Sequence, residues 1–244
     1  MEKLDAKMYQ VSTLNALALG YTRKVVTVDE LLRHGSIGLG TFESVDGEMI
    51  VLDGRCYRAT DDGSVIEVDE EKGVSFASVT FLRKQRNFDI ENITNVDALK
   101  SFLDLRIEEN FGLNSMHVIR IDGTFEMIDA RSENAYNAHH VELKNILKTN
   151  QKSFKFENIT GTLVCLYHPD FMQGINAAGW HFHFISSDRT KGGHVFDLRF
   201  RKASAILDKV SKIEIQLPKE PAFDTYSLTQ ASNKDIKKAG QCKS

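Results

Sequence analysis

The chain has 244 residues, 41% of them hydrophobic and 27% charged, with a formal net charge of −3. That composition belongs to an ordinary globular protein, long enough for one large core or two small ones, and it argues against a disordered chain. The slight acidity, with no basic stripe carrying interleaved aromatics, argues against nucleic acid as a partner, and three widely spaced cysteines, Cys56, Cys165 and Cys242, argue against a disulfide framework.

The opening residues, Met1-Glu2-Lys3-Leu4-Asp5, lack the basic start and apolar centre of a secretory leader, and no run approaches the ~18 apolar residues of a membrane span. The expectation is a cytoplasmic protein with no membrane partner. In chain order, residues 12–20 read as a short helix with Ser12 as its cap and Gly20 as its stop, and Thr27-Val28-Asp29-Glu30 is a capping box leading into a second short helix. From residue 37 the texture changes to strands at 37–42, 48–52, 55–59, 65–68 and 74–82, separated by Asp46-Gly47, Asp53-Gly54 and Asp62-Gly63. This predicts an antiparallel meander. In its second strand Glu48, Ile50 and Leu52 share a face; taken alone, Glu48 reads as a carboxylate at a strand edge with its oxygens in water.

Residues 95–109 form the clearest helix, with Val96, Leu99, Leu103 and Ile107 in a stripe at helical spacing. Two strands, 116–121 and 124–131, flank Asp122-Gly123, a strong hairpin signal. On the second of them Phe125, Met127, Asp129 and Arg131 share a face, which leaves Arg131 as a cation at the end of a partly apolar row. A helix at 142–150, an apolar strand at 159–167 and the turn His168-Pro169-Asp170 follow.

The most informative stretch comes next. Residues 180–185 alternate as a strand, placing His181 and His183 on one face and Phe182 and Phe184 on the other. A polar turn closes on Gly192-Gly193, and His194 opens another β run, so a hairpin would return His194 beside the first two imidazoles. Three neutral nitrogens with one position left open are the donor set of a catalytic zinc. Strands at 203–207 and 212–217, a break at Pro218 and a helix at 232–239 complete the chain. The other histidines, His34, His117, His139, His140 and His168, read as surface or structural groups.

The fold class expected is α+β: a β-sheet with helices over 1–150, followed over 151–244 by a β-rich half that carries the three-His metal site and a terminal helix.

Several blocks in order carry a resemblance: Tyr9-Gln10-Val11-Ser12-Thr13, Gly38-Leu39-Gly40-Thr41-Phe42, Asp46-Gly47-Glu48-Met49-Ile50, Ile121-Asp122-Gly123-Thr124-Phe125, Gly161-Thr162-Leu163-Val164, and Gly179-Trp180-His181-Phe182-His183-Phe184-Ile185 closing on Gly192-Gly193-His194-Val195-Phe196-Asp197. From about Tyr9 to Asp235 the chain resembles the α-acetolactate decarboxylase family. The resemblance implies a zinc enzyme converting (S)-2-acetolactate to (R)-acetoin and CO2, built as an N-terminal mixed β-sheet and a C-terminal β-barrel-like half carrying the metal, with a small-molecule substrate and a homodimer formed through the N-terminal sheet. It implies His181, His183 and His194 as Zn2+ ligands, Arg131 and Glu48 as catalytic residues, and Thr41 with Arg131 at the substrate. Thr41 rests on the resemblance alone. One departure stands out: Gly240 falls where the family carries a C-terminal glutamate. Two other readings remain. A cupin-like metal oxygenase also uses His-x-His, but it wants a glutamate about four residues after the second histidine, where this chain has Ser187. A non-catalytic homologue that keeps the fold as a ligand-binding protein is the other.

Overall fold

The computed structural model describes residues 7–138, 140–225 and 228, and within them two sheets divide the chain. The first sheet contains β1 (Lys7–Val11), β2 (Val26–Thr27), β3 (Ile37–Phe42), β4 (Glu48–Leu52), β5 (Arg55–Ala59), β6 (Val65–Glu67) and β7 (Gly73–Thr80). The second contains β8 (Arg86–Ile93), β9 (Met116–Glu133), β10 (Gln151–His168), β11 (Gly179–Ser186) and β12 (Gly192–Val210). A last strand, β13 (Lys212–Gln216), returns to the first sheet and pairs in parallel with β1, which makes that sheet mixed. The helices are α1 (Leu14–Ala18), α2 (Val28–Leu32), α3 (Val96–Asn110), α4 (Leu143–Asn150) and α5 (Pro221–Asp224).

The first sheet is open, with β3, β4, β5 and β6 in the expected meander order, but the fifth strand expected there, β7, pairs with β3 and β1 instead of following β6. In the second, β11 pairs with both β10 and β12, and β9 pairs with both as well. The hydrogen-bonded path through those strands therefore returns on itself, while β8 hangs on the outer side of β12. The half is barrel-like only in this sense, since β8 stands outside the ring. Residue 150 does not separate the sheets: β8, α3 and β9 precede it and belong with the second sheet, and β13 follows it and belongs with the first.

Local chemistry explains most boundaries. Thr27 caps α2, its hydroxyl accepting from Glu30 N at 3.3 Å, and Asn95 caps α3, its side chain accepting from Ala98 N at 2.8 Å. The stripe on α3 buries Leu99, Leu103 and Ile107 completely, each worth roughly 1.5–3 kcal/mol, against Phe125, Phe182, Phe184 and Phe200 of the second sheet. Asp197 accepts from Val96 N at 2.8 Å, which pins the start of that helix to β12. The cap of α1 is Thr13 rather than Ser12. Ser12 takes a left-handed φ of 60° and donates its amide to Gln216 O, turning the chain out of β1.

The hairpin expected at Asp122-Gly123 does not exist. β9 runs straight through both residues for its 18-residue length. Gly123 is there for close approach: it pairs with Gly161 of β10 and Ala203 of β12, and a Cβ on it would lie 2.9 Å from that of Ala203. Asp122 accepts from Arg120 Nε of its own strand at 2.7 Å and from Thr162 Oγ1 of β10 at 2.6 Å, so its carboxylate serves the sheet rather than a turn. β1 and β8 carry no strand signal strong enough to be read in advance; β8 buries only Ile90 and Ile93. The helix expected at 232–239, together with Gly240, lies outside the described residues.

The sheets pack face to face. Met8, Ile37, Leu39, Ile50 and Leu52 from the first meet Val118, Val164, Leu166 and Ile185 from the second in one buried cluster. Among the described residues no helix is long and apolar enough to cross a membrane.

Gly161 tests the tightness of the ring. A Cβ there would lie 2.4 Å from Ile185 O and 2.5 Å from the Phe184 ring. Gly161→Ala is expected to cost about 1–3 kcal/mol in denaturant unfolding. An unchanged midpoint would mean that β10 and β11 separate without penalty.

Candidate metal centre and active-site cavity

The alternation along β11 sends Trp180, Phe182 and Phe184 into the second sheet's own core and His181, His183 and Ile185 toward the first sheet. Pairing then assembles a row across three strands: His183 of β11 lies opposite His194 of β12, which lies opposite Arg131 of β9. One nitrogen from each of His181, His183 and His194 falls within 4.8 Å of the other two. The imidazoles of His181 (Nε2) and His194 (Nδ1) stand 2.9 Å apart.

The first sheet supplies the opposing wall. Glu48 sits in register with Thr41 across β3 and β4, and its carboxylate lies 3.3 Å from His183 Nε2, 3.9 Å from His194 Nδ1 and 3.8 Å from Arg131 Nε. It is only 7% exposed, so the reading of Glu48 as a wet edge carboxylate is wrong. Pleat direction explains this: the face Glu48 shares with Ile50 and Leu52 is the one covered by the second sheet. Thr41 lines the same cavity, but its hydroxyl donates to Gly47 O at 2.9 Å and so holds the turn that presents Glu48. Ser132 ties the sheets together, accepting from Glu48 N at 3.1 Å and donating to Ala59 O at 2.7 Å.

Arg131 is held in place from several sides. One guanidinium nitrogen donates to the side chain of Gln151, and the group lies over the Phe196 ring at 5.0 Å. Phe196 reaches that position because β12 bulges between Val195 and Asp197. Arg131 Nε has no hydrogen-bond partner, so donor capacity remains toward the cavity.

Burial dominates the electrostatics. It pushes the His183 imidazole down to about 3 and lowers His181 and His194 well below the usual range, with neighbouring imidazoles and Arg131 adding to the effect. The Glu48 carboxyl is raised well above its ordinary value, first by burial and then by Glu133, with Arg131 opposing. Glu133 is raised to about 7 by burial, again against Arg131.

These residues fit a divalent metal. His183 donates Nδ1–H to Met49 O at 2.8 Å, which leaves the lone pair on Nε2, a buried atom without a hydrogen-bond partner. Imidazoles kept neutral beside a carboxylate are the donor set a zinc-like ion takes.

A cleft opens in front of this cluster, walled by Leu14 and Leu17 of α1, Phe76 of β7, and Leu143 and Leu147 of α4. A profile of the alpha-acetolactate decarboxylase family matches residues 8–230. The chain belongs to that family. An alpha-acetolactate decarboxylase of Methanosarcina mazei is 37% identical over 231 residues, covering 95% of this chain and 79% of the relative, and one from Streptococcus thermophilus is 33% identical over 96% of this chain and 98% of its own length. The crystal structure of alpha-acetolactate decarboxylase from Bacillus subtilis strain 168 superposes with a TM-score of 0.91 at 29% identity, covering 97% of this chain and 100% of that one. Membership places the chain among the decarboxylases, a class of lyases, and removes the ground for a cupin-like oxygenase.

All six residues singled out in the sequence meet in this one cavity. Sequence reading passed over Glu133, Gln151, Phe196 and the leucine wall. The signals for Glu133 and for the leucines were present, at i+2 from Arg131 on the same strand and at i, i+3 and i, i+4 on two helices. For Gln151 there was none, since only the pairing of β9 with β10 brings it near Arg131.

Incubated with zinc and dialysed, the protein is expected to keep about one ion per chain and His183→Ala to keep none, measured by atomic emission. His117→Ala, which alters a histidine bonded to Gly112 O instead, is expected to bind as the parent does.

Proposed function

We propose that this chain is a zinc-dependent decarboxylase that converts (S)-2-acetolactate to (R)-acetoin and CO2. The observation that carries the reading is the row Arg131, His194 and His183 facing Glu48 inside a cleft with apolar walls. His181, His183 and His194 are the residues that would hold the ion. Bound there, zinc would supply positive charge for the electron pair left behind when the bond to the carboxylate breaks.

The chain's own groups do the rest. The guanidinium of Arg131, braced by Gln151 and Phe196, binds the substrate carboxylate with its free donors and afterwards steadies the negative charge of the enediolate. As CO2 leaves, the electron pair moves onto the former ketone oxygen. One proton must then reach the carbon that lost its carboxylate, so each substrate anion consumes one proton and yields one acetoin and one CO2. Glu48, kept protonated by burial and set beside the imidazoles, is the donor to that carbon. Thr41 and the leucine wall shape the cleft and keep bulk water from the intermediate. A single protonated face follows from the fixed position of Glu48 on β4.

The test is acetoin and CO2 release from racemic acetolactate by the zinc-loaded protein, with the product resolved on a chiral column. Consumption of half the racemate with (R)-acetoin formed is expected; absence of acetoin leaves the non-catalytic homologue as the correct account. Glu48→Gln is expected to retain zinc and lose turnover by about 10²–10⁴-fold. Arg131→Lys, which keeps the charge but loses the fork, is expected to lose about 10²-fold or more, and an unchanged rate would make Arg131 structural.

A further inference from the structure

Glu133 is a carboxylic acid that the reaction above does not use. It lies on β9 two residues beyond Arg131, on the same face, and it lines the same cavity as Glu48 and the three imidazoles. It is 1% exposed, and its Oε2 has no hydrogen-bond partner. A buried carboxyl oxygen without a partner costs about 1–3 kcal/mol or more, so a purely structural acid would have acquired a donor. Arg131, its neighbour in sequence, is instead bound to Gln151 and directed at Phe196 and Glu48. The flanking Ser132 is committed to the opposite sheet. The strand is therefore tied down on both sides of an acid that faces the cleft.

We propose that Glu133 is a substrate-binding residue, whose carboxyl group hydrogen-bonds an oxygen of the bound hydroxy-keto acid beside Arg131. This rests on the decarboxylase reading. The acid faces Glu48 of β4 and Asp46 just before it, Arg131 of its own strand, and the histidines across the cavity. Burial raises it to about 7, with Arg131 opposing and Asp46 adding. The sign follows. Below that pH the group is neutral and donates; above it the group is an anion that faces the carboxylate of an anionic ligand and repels it. Binding therefore weakens as the pH rises through about 7. The arrangement also selects: a cleft with apolar walls on one side and Glu133, Glu48 and Arg131 on the other accepts a small acid bearing further oxygens over a simple fatty acid of the same size.

The experiment separates binding from turnover. The probe is the substrate analogue with its ketone reduced to an alcohol, which cannot release CO2, titrated calorimetrically into zinc-loaded parent, Glu133→Gln and Glu133→Leu at pH 6 and pH 8. Glu133→Gln keeps a donor and cannot ionise, so its affinity at pH 6 is expected to lie within about three-fold of the parent, with most of the weakening toward pH 8 gone. Glu133→Leu loses the donor, and its Kd is expected to rise about ten-fold or more at pH 6. The KM for acetolactate is expected to follow the same order, with kcat changed less. Thermal unfolding of Glu133→Leu is expected at or above the parent temperature, because the substitution removes an unpartnered buried oxygen.

Parent-like affinity in Glu133→Leu overturns the proposal. If that variant unfolds, a pH dependence in folded Glu133→Gln equal to the parent's overturns it instead. A parent that binds the analogue but forms no acetoin refutes the decarboxylase reading and leaves the Glu133 comparison to stand or fall on Kd. A parent that does not bind the analogue refutes both.

Discussion

The hydrogen bond from His183 Nδ1–H to the carbonyl of Met49 joins the two sheets at the point where chemistry is needed. It crosses from β11 to the residue next to Glu48, fixes one tautomer of the imidazole, and leaves the other nitrogen facing the carboxylate at 3.3 Å. Without that bond the ring could turn and the carboxylate would lose its register with the histidines. Ile50 and Ile185 belong to the one buried cluster that joins the sheets, and that packing brings a main-chain carbonyl of one within reach of a side chain of the other.

Around this bond the site places groups that conflict electrostatically. Neutral histidines, a fixed guanidinium and two buried carboxyls share one cleft, and desolvation pushes the three imidazoles and both carboxyls toward their uncharged forms. Such a cluster stabilises the fold poorly. Under the proposed function its members receive a cation and an anionic ligand. The rigid features sit just outside it: the cap of α3 on Asp197, the bulge that seats Phe196 under Arg131, and Ser132 bridging the sheets.

Reading from sequence succeeded where a period or a cap is local. The stripe of α3, the capping box at Thr27, the meander from β3 to β6 and the His-x-His alternation are all short-range patterns, and each is present. It failed at Asp122-Gly123, because an Asp-Gly pair looks the same in a tight turn and in a strand that needs a glycine to let two neighbours approach. It missed the burial of Glu48, which depends on a second sheet lying over it, and the strand pairings run across residue 150, where the chain was expected to divide.

What the sequence determined by itself was the set of chemical groups and the face on which each would stand, since strand alternation and helical spacing are properties of neighbouring residues. What tertiary structure alone decided was company: Arg131 beside His194, Gln151 beside Arg131, Glu133 beside Glu48. Those neighbours come from strand register and ring closure across tens of residues. Register is set by the sum of all side-chain packing along two strands, and no short stretch of the chain contains that sum.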